Sequence, residues 1–310
     1  MRIIWNELGR QEWGDAVGAA CLAQQWDYGT VACRLGARVA RARICAGAET
    51  LGYAQVILRR FGPLRLAWMG HGPVWCDSSD PDPDALRYLA ASLRQGGRSI
   101  LIGAAGDLDA PGLRCGMSHM GASVDLLDDP SALRAALNGK WRNRLVAAER
   151  AGLDVRVHRY CPDWLVQAEL AQRRSMKYKA LPPVWLKCWS RVAPAGTVSF
   201  AAQSGDQPVA GICLLMHGTS ATWHIGWSGP DGRRRSAMNL LLWSAMLWLR
   251  EAGIVRLDLG SCDPVAAPGL AHFKEGLPIR HRPSVPTRLL LDGFLARPVP
   301  PGRAGYAAAS

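Results

Sequence analysis

The spacing of apolar and polar residues predicts a mixed α/β protein built from two halves. In the first half, apolar and polar residues alternate in several short runs bounded by Gly or Pro, a pattern that predicts paired strands. Helical spacing predicts two further segments. The expected strands cover residues 2–5, 40–46, 53–59, 64–69, 99–103 and 116–127, and the expected helices cover residues 13–25 and 84–95.

One long amphipathic helix is predicted between the halves, over residues 131–151. Apolar residues recur in it at three- and four-residue steps, so one face is expected to be buried. Gly152 follows as a helix-terminating residue. The apolar positions are Leu133, Leu137, Trp141, Leu145 and Ala148.

The second half is predicted to contain antiparallel strands, one strongly apolar helix, and then a strand–helix–strand unit. Residues from Pro298 onward are rich in Pro, Gly and Ala, which predicts a disordered tail. The expected strands cover residues 154–160, 197–203, 208–217, 220–227, 255–259 and 287–291, and the expected helices cover residues 163–177, 184–191, 235–251 and 270–275.

The composition is that of a globular protein, and a length of 310 residues predicts two domains. Apolar residues make up 49% of the chain and charged residues 20%, which excludes a disordered or fibrous protein. The N-terminal residues contain no apolar segment of signal-peptide length. The most apolar stretch, residues 237–249, is too short to span a bilayer. We therefore expect a cytoplasmic protein with no transmembrane segment.

Several kinds of site are not expected. The 9 cysteines are dispersed without a Cys-x-x-Cys pair, which predicts reduced thiols and no metal site. No Walker loop is present, and residues 226–229 are one residue short of the Gly-x-Ser-x-Gly turn of hydrolases. The tryptophans do not form an evident basic and aromatic platform for nucleic acid, and DNA is not expected as a partner.

The formal net charge of +12 points to an anionic partner. Most of the excess falls in residues 151–310. Phosphate, nucleotide, RNA or a membrane surface would each suit such a charge. A solvated basic face without a partner is an equally weighted alternative.

Four segments, in order, carry a resemblance to a known family. They read WMGHGPV at residues 68–74, KWRNRLVAAERAG at 140–152, RLDLG at 256–260 and GLAHFKEGL at 269–277. Together they resemble motifs of the FemABX family, the Fem-type peptidyltransferases within the GNAT superfamily. The element order of the second half is also similar to that of a GNAT domain, and the first half resembles a degenerate copy.

The resemblance implies an α/β (α+β) fold with two tandem GNAT-like domains, whose mixed, mostly antiparallel sheets are flanked by helices and separated by a cleft. The implied division is a degenerate domain over residues 1–128, an interdomain helix over 129–153, a GNAT-like domain over 154–297 and a tail over 298–310. The coiled-coil arm of the best-known members is not evident in the sequence, which argues against a peptidoglycan precursor as acceptor.

For the donor, the resemblance implies a binding site at the start of the apolar helix. A helix N-terminus presents N–H groups to phosphate, and three successive arginines add charge. Ser236 stands where the CoA-binding loop of GNAT domains usually has its first glycine, which slightly favours aminoacyl-tRNA over acyl-CoA. A solvated loop is the alternative. The expected donor-binding residues are Arg233, Arg234, Arg235, Ser236, Asn239 and Phe273.

Three residues are candidates for the chemistry of amide formation. Lys274, one of few lysines, could polarise the donor carbonyl, or be a surface lysine beside a core Phe. Asp258 ends a buried strand, where a carboxylate needs a partner, so catalysis and a structural salt bridge are weighed equally. His224 is a candidate general base, although most strand histidines are merely packed.

The expected acceptor-binding residues are Lys140, Arg142, Asn143, Trp227 and Tyr178. The resemblance would place the first three in the cleft, against an anionic acceptor, while a solvated helix face is the alternative. The expected acceptor is a small-molecule or peptide amine, and tRNA is a possible partner.

The sequence thus predicts an amide-forming acyltransferase that moves an aminoacyl or acyl group onto a primary amine. It would bind no cofactor tightly and would use aminoacyl-tRNA or acyl-CoA as a co-substrate. One alternative is an acyl-CoA-dependent GNAT N-acetyltransferase. Another is a non-catalytic GNAT pair that binds tRNA or an anionic metabolite. The central expectation is a V-shaped opening in the second sheet, bordered by the arginine triplet and Lys274.

Overall fold

The computed structural model describes residues 1–62, 64–76, 83–93, 99–102, 113–114, 120–178, 180–283 and 287–290. The strands are β1 (Arg2–Trp5), β2 (Arg38–Ala46), β3 (Glu49–Phe61), β4 (Leu64–Trp68), β5 (Val74–Trp75), β6 (Ser99–Ile102), β7 (Leu113–Arg114), β8 (Met120–Asp125), β9 (Asp154–His158), β10 (Thr197–Ser204), β11 (Gln207–His217), β12 (Ser220–Ser228), β13 (Arg256–Ser261), β14 (Ile279–Pro283) and β15 (Arg288–Leu290). The helices are α1 (Arg10–Val17), α2 (Trp26–Arg34), α3 (Pro83–Leu93), α4 (Pro130–Ala135), α5 (Gly139–Glu149), α6 (Asp163–Met176), α7 (Pro183–Val192), α8 (Pro230–Arg234), α9 (Ala237–Glu251) and α10 (Pro268–Lys274).

The chain divides into two compact units that interleave along the sequence. The first unit comprises residues 1–9, 37–118 and 285–310, and the second comprises residues 10–36 and 119–284. Residues 10–36 and 119–128, which the sequence analysis assigned to the first domain, thus belong to the second compact unit. The segment 298–310, for which disorder is expected, lies outside the described residues.

The first unit is built on a sheet with the strand order β1-β2-β3-β4-β6-β15-β7, and β5 also pairs with β3. Its core lies on the sheet face covered by α3, where Leu86 and Leu89 pack with Ala54, Val56 and Met69.

The second unit is built on a seven-stranded sheet with the order β14-β8-β13-β12-β11-β10-β9. Strands β9 to β12 pair antiparallel with their neighbours, whereas β12 and β13 are parallel. One face packs against α5 and α9, and the other packs against α2, α6 and α7. Because α9 is covered along much of its surface, its sequence is apolar on almost every side.

The predicted fold class is confirmed, since two mixed sheets are flanked by helices. The prediction of a single helix over residues 131–151 is wrong, since this segment forms two helices. The second begins after Asn138, which caps α5 by accepting a hydrogen bond from the Lys140 N–H at 3.0 Å. The helix expected from Arg235 is likewise preceded by a separate α8. The sequence analysis missed β7, β14 and α2, and the helix expected over residues 13–25 is α1, which ends at Val17.

No helix in the described part of the chain has the length and apolar character needed to cross a membrane.

Replacing Phe200 by alanine is expected to lower the free energy of unfolding of the second unit by about 3–5 kcal/mol. Phe200 is fully enclosed on β10, and its ring lies 6.1 Å from that of Trp248. Urea unfolding followed by tryptophan fluorescence measures the change. The matched control is Leu127→Ala, because this leucine is 72% exposed and should matter by no more than about 0.5 kcal/mol. Equal effects of the two changes would contradict this assignment of the core.

Candidate active site at the parting of two strands

Strands β12 and β13 separate partway along their length. They pair only where Ser220, Ala221 and Thr222 face Arg256, Leu257 and Asp258. Beyond this point β12 continues beside β11, while β13 continues beside β8. The sheet therefore has an opening, here called the gap, between the ends of these two strands.

Lys274 reaches into the gap from α10 and touches both strands. Its Nζ donates a hydrogen bond to the Ser261 carbonyl oxygen on β13 at 2.6 Å. The same Nζ lies 5.6 Å from the ring centroid of Trp223 on β12. Lys274 is only 3% exposed, and this burial lowers its pKa. A buried ammonium group thus lies between a carbonyl oxygen of β13 and an aromatic ring of β12.

Asp258 and His224 lie on the opposite side of the sheet from the α5 and α9 layer. Leu257 and Leu259 belong to that layer, so by strand alternation Asp258 points away from it. The Asp258 carboxylate accepts a hydrogen bond from the Gly260 N–H at 2.7 Å, at an irregularity in β13 where Gly260 has a φ of 74°. Its charge raises the pKa of Lys274, against the larger effect of burial.

His224 is the extra residue of a β-bulge. Trp223 pairs with Leu214 and Ile225 pairs with Cys213, which leaves His224 without a partner on β11. Its ring lies 5.8 Å from that of Trp185 on α7, and burial lowers its pKa to about 4. His224 is therefore neutral at pH 7, the form in which an imidazole can accept a proton.

A cavity of about 360 Å³ lies beside the gap. Phe273 forms an aromatic wall, with its ring 5.9 Å from Trp141 and 6.4 Å from Trp223. Gly276 keeps this wall in place, because a Cβ there would lie 2.8 Å from Trp141 Cγ. The cavity is lined by Asn138, Lys140, Trp141, Arg144, His272, Phe273, Glu275 and Gly276.

Two of the predicted binding residues therefore meet at this cavity, Lys140 from the acceptor set and Phe273 from the donor set. Arg142 and Asn143 are exposed and do not line it, and the Arg142 guanidinium instead donates to the Ala135 carbonyl oxygen at 3.2 Å. Sequence reasoning missed Arg144, although it lies one helical turn after Lys140, a spacing that could have identified it.

The arginine triplet lies near the C-terminal end of α5, whereas the cavity lies at its N-terminal end. Arg235 donates to the Ala151 carbonyl oxygen just beyond the C-terminus of α5, at 3.3 Å, whereas the Asn138 N–H at its N-terminus donates to the Gly276 carbonyl oxygen. An 11-residue helix spans about 16 Å. Arg233 and Arg234 are exposed, and Arg234 pairs with Asp231 at 2.7 Å.

Ser236 and Asn239 shape the start of α9. Ser236 has a φ of 54°, a left-handed conformation that favours glycine, which agrees with its place in a glycine-rich motif. Asn239 is buried, and its Nδ2 has no hydrogen-bond partner among the described residues.

Tyr178 belongs to a buried network on the α6 side of the sheet. Its hydroxyl donates to Glu169 Oε1 at 2.9 Å, and Glu169 also forms an ion pair with Arg173 at 2.8 Å. Arg173 in turn donates to the Leu181 carbonyl oxygen at 3.1 Å, which fastens the segment after α6. Trp227 packs edge-on against Trp164, 6.0 Å away. Sequence reasoning missed Glu169, because nothing in the pattern marks it as buried.

Among the described residues, no group of three or more His, Cys, Asp or Glu side chains could hold a metal ion.

Comparisons with known proteins connect one region of the chain to a family and the whole chain to a known fold. Residues 139–275 match the family described as Acetyltransferase (GNAT) domain. The structure is similar to that of FemX with a TM-score of 0.70 and 13% identity, over 94% of this chain and 97% of that one. Residues 139–275 form a GNAT domain, and the chain shares its fold with FemX. The predicted resemblance is therefore confirmed.

Two other solved structures share this tandem GNAT-like fold. The C-terminal domain of a putative lysylphosphatidylglycerol synthetase from Agrobacterium fabrum has a TM-score of 0.51 and 18% identity, over 78% of this chain and 82% of that one. A tandem GNAT protein from the clavulanic acid biosynthesis pathway has a TM-score of 0.50 and 11% identity, over 94% and 98%. No curated protein matches the chain. The match to the GNAT domain supports acyl transfer in general.

Replacing Lys274 by methionine is expected to leave the melting temperature at pH 7 unchanged or to raise it. Burial disfavours the charged lysine in the folded state, and methionine of similar length removes that cost. Above the ordinary lysine pKa of 10.5 the folded and unfolded lysine are both neutral, so any gain should shrink there. Thermal unfolding of the wild type and the variant at pH 7 and at a pH above 10.5 tests this. A large loss of stability at pH 7 would mean that Lys274 is a structural group.

The second unit is expected to lose stability as the pH falls from 6.5 towards 4. Burial lowers the pKa of both His217 and His224 from 6.5 to about 4, so the unfolded chain binds more protons in this window. His217→Gln or His224→Gln should each flatten the dependence, by up to about 3 kcal/mol for the better-buried His217. Urea midpoints measured across the window test this, with the exposed His272→Gln as control. An unchanged slope in both variants would contradict the assignment.

Proposed function

We propose that the chain transfers an acyl or aminoacyl group from an activated ester or thioester to a primary amine at the gap. The observation that carries this proposal is the buried Lys274 ammonium between β12 and β13. A cation fixed in a site with little water stabilises a developing oxyanion far better than one in solvent. A purely structural lysine would gain little from such a position, because burial costs it solvation.

In the proposed reaction, the amine nitrogen attacks the donor carbonyl carbon and forms the new C–N bond. Lys274 stabilises the oxyanion of the tetrahedral intermediate. Collapse breaks the C–O or C–S bond of the donor. The amine loses a proton to a base, for which the neutral His224 and Asp258 on the opposite side of the sheet are the candidates. The leaving hydroxyl or thiol takes up a proton, which Lys274 can supply.

We propose aminoacyl-tRNA as the favoured donor and acyl-CoA as the alternative. Arg233 and Arg234 are exposed and can meet phosphate, while Arg235 and Ser236 shape the turn into α9. Asn239 would add a hydrogen-bond donor, and Phe273 would pack against the donor in the cavity. The side chain at Ser236 hinders the close backbone approach that a pyrophosphate needs.

The proposed acceptor is an amine that also carries an anionic group. Lys140, together with the neighbouring Arg144, lines the cavity and can bind such a group. Arg142 and Asn143 are exposed on the same helix and would extend the contact. We propose that Tyr178 and Trp227 act on the opposite side of the sheet, where the Glu169 network fixes the segment that carries Tyr178.

Lys274→Met is expected to lower the transfer rate at least about 100-fold, as loss of one oxyanion donor does elsewhere. The protein is incubated with labelled aminoacyl-tRNA or acyl-CoA and a pool of amines, and base-stable labelled amide is counted. The matched control is the exposed Lys187→Met, which should retain the wild-type rate.

The donor is identified in the same assay. Sensitivity of product formation to ribonuclease indicates tRNA, and insensitivity indicates acyl-CoA. Arg233→Ala with Arg234→Ala should raise the KM for the donor more than it lowers kcat. No amide from either donor, with tRNA still bound, would support the non-catalytic alternative instead.

A further inference from the structure

An exposed apolar segment lies between β13 and the body of α10. Residues 264–270 contain Pro, Val, Ala, Gly and Leu but no charged or hydrogen-bonding side chain. Val265 is 89% exposed and Leu270 is 44% exposed. We call residues 264–270 the apolar tip. Single exposed apolar residues are common, but a run of them at a protruding turn needs an explanation.

The apolar tip is held in a defined shape. Asp263 accepts hydrogen bonds from the N–H groups of Val265 at 2.8 Å and Ala266 at 3.1 Å. The Ala267 N–H donates to the Asp263 carbonyl oxygen at 3.0 Å, which closes the turn. Val265 is therefore exposed by a hydrogen-bonded turn and not by a loose end of chain.

Basic residues lie on the elements that adjoin the apolar tip, which also carry the carboxylates of Asp263 and Glu275. The Cys262 N–H, just before it, donates to the Met120 carbonyl oxygen at 2.6 Å, and Met120 is itself an exposed apolar residue. The next residue on β8, Gly121, pairs with the exposed Arg282 of β14. On the other side, α10 carries the exposed His272, and Lys140 lines the same cavity as His272.

This combination fits an anionic lipid surface better than a protein partner. A stable protein interface needs roughly 800 Å² from each partner, more than a turn with two prominent apolar side chains offers. A bilayer surface accepts a small apolar wedge, and basic residues within reach of the headgroups add attraction. The net charge of +12 favours such a surface over a neutral one.

We propose that the apolar tip docks the protein on anionic phospholipid bilayers. Val265 and Leu270 enter the boundary between headgroups and acyl chains, while Arg282 and Lys140 face the headgroup phosphates. The binding is peripheral and reversible, because one short wedge buries little apolar surface. The proposal does not depend on acyl transfer, so it can fail or hold separately from the proposed function.

The test is sedimentation of the full chain with phosphatidylcholine vesicles, with or without phosphatidylglycerol. We expect binding to the anionic vesicles only, weakened by added salt. Val265→Asp with Leu270→Asp should weaken that binding about ten-fold or more, because aspartate removes apolar contact and adds repulsion. Arg282→Glu alone should weaken it several-fold.

The matched control is Leu127→Asp with Val184→Asp, since both residues are more than half exposed but lie elsewhere on the second unit. This variant should bind as the wild type does, and circular dichroism establishes that each variant is folded. Absence of binding to anionic vesicles, equal binding to neutral ones, or an equal loss in the control would each overturn the proposal. Dimers dispersed by the aspartates, without vesicle binding, would identify a second copy as the occupant.

Discussion

The parting of β12 from β13 is the constraint on which the candidate site depends. The opened sheet leaves room for a side chain from another element, and the Lys274 ammonium enters there and donates to the Ser261 carbonyl oxygen. To deliver that lysine, α10 must pack closely against α5. Gly276 permits the approach, because any side chain there would collide with Trp141. The opening, the aromatic wall and the buried cation are thus parts of one arrangement.

Local periodicity was sufficient to predict most of the second sheet but not which segments join it. Strands β10 to β12 have long alternating or apolar runs, and their bounds agree with the prediction within a residue or two. In contrast, β14 is a short edge strand with Arg280, His281 and Arg282 in sequence, so no apolar alternation marks it. Residues 10–36 join the second unit through long-range packing such as that of Tyr28 on Trp185, which a local pattern cannot express.

The candidate site was predictable only where a motif carried it. Lys274 and Phe273 stand together in such a motif, and the structure places both beside the gap. The sheet face on which the His224 side chain lies was not predictable, because it depends on a bulge in the pairing of β12 with β11. The distance between the expected donor-binding residues was not predictable either. Arg235 and Phe273 lie at opposite ends of α5, so a donor that contacts both must extend along that helix.

The two most deeply buried charged residues of the second unit show how structure and chemistry divide this sheet. Glu169 is fully compensated, with an arginine and a tyrosine hydroxyl on its carboxylate, as a charge that only holds a fold should be. Lys274 forms no ion pair among the described residues and has a single carbonyl oxygen as its hydrogen-bond partner. Asp258 and the face of the Trp223 ring offset only part of its charge, because burial still lowers its pKa. Proteins keep an energetically unfavourable buried charge mainly at functional sites. This difference is the physical reason to seek the reaction at Lys274 and not at the equally buried Glu169.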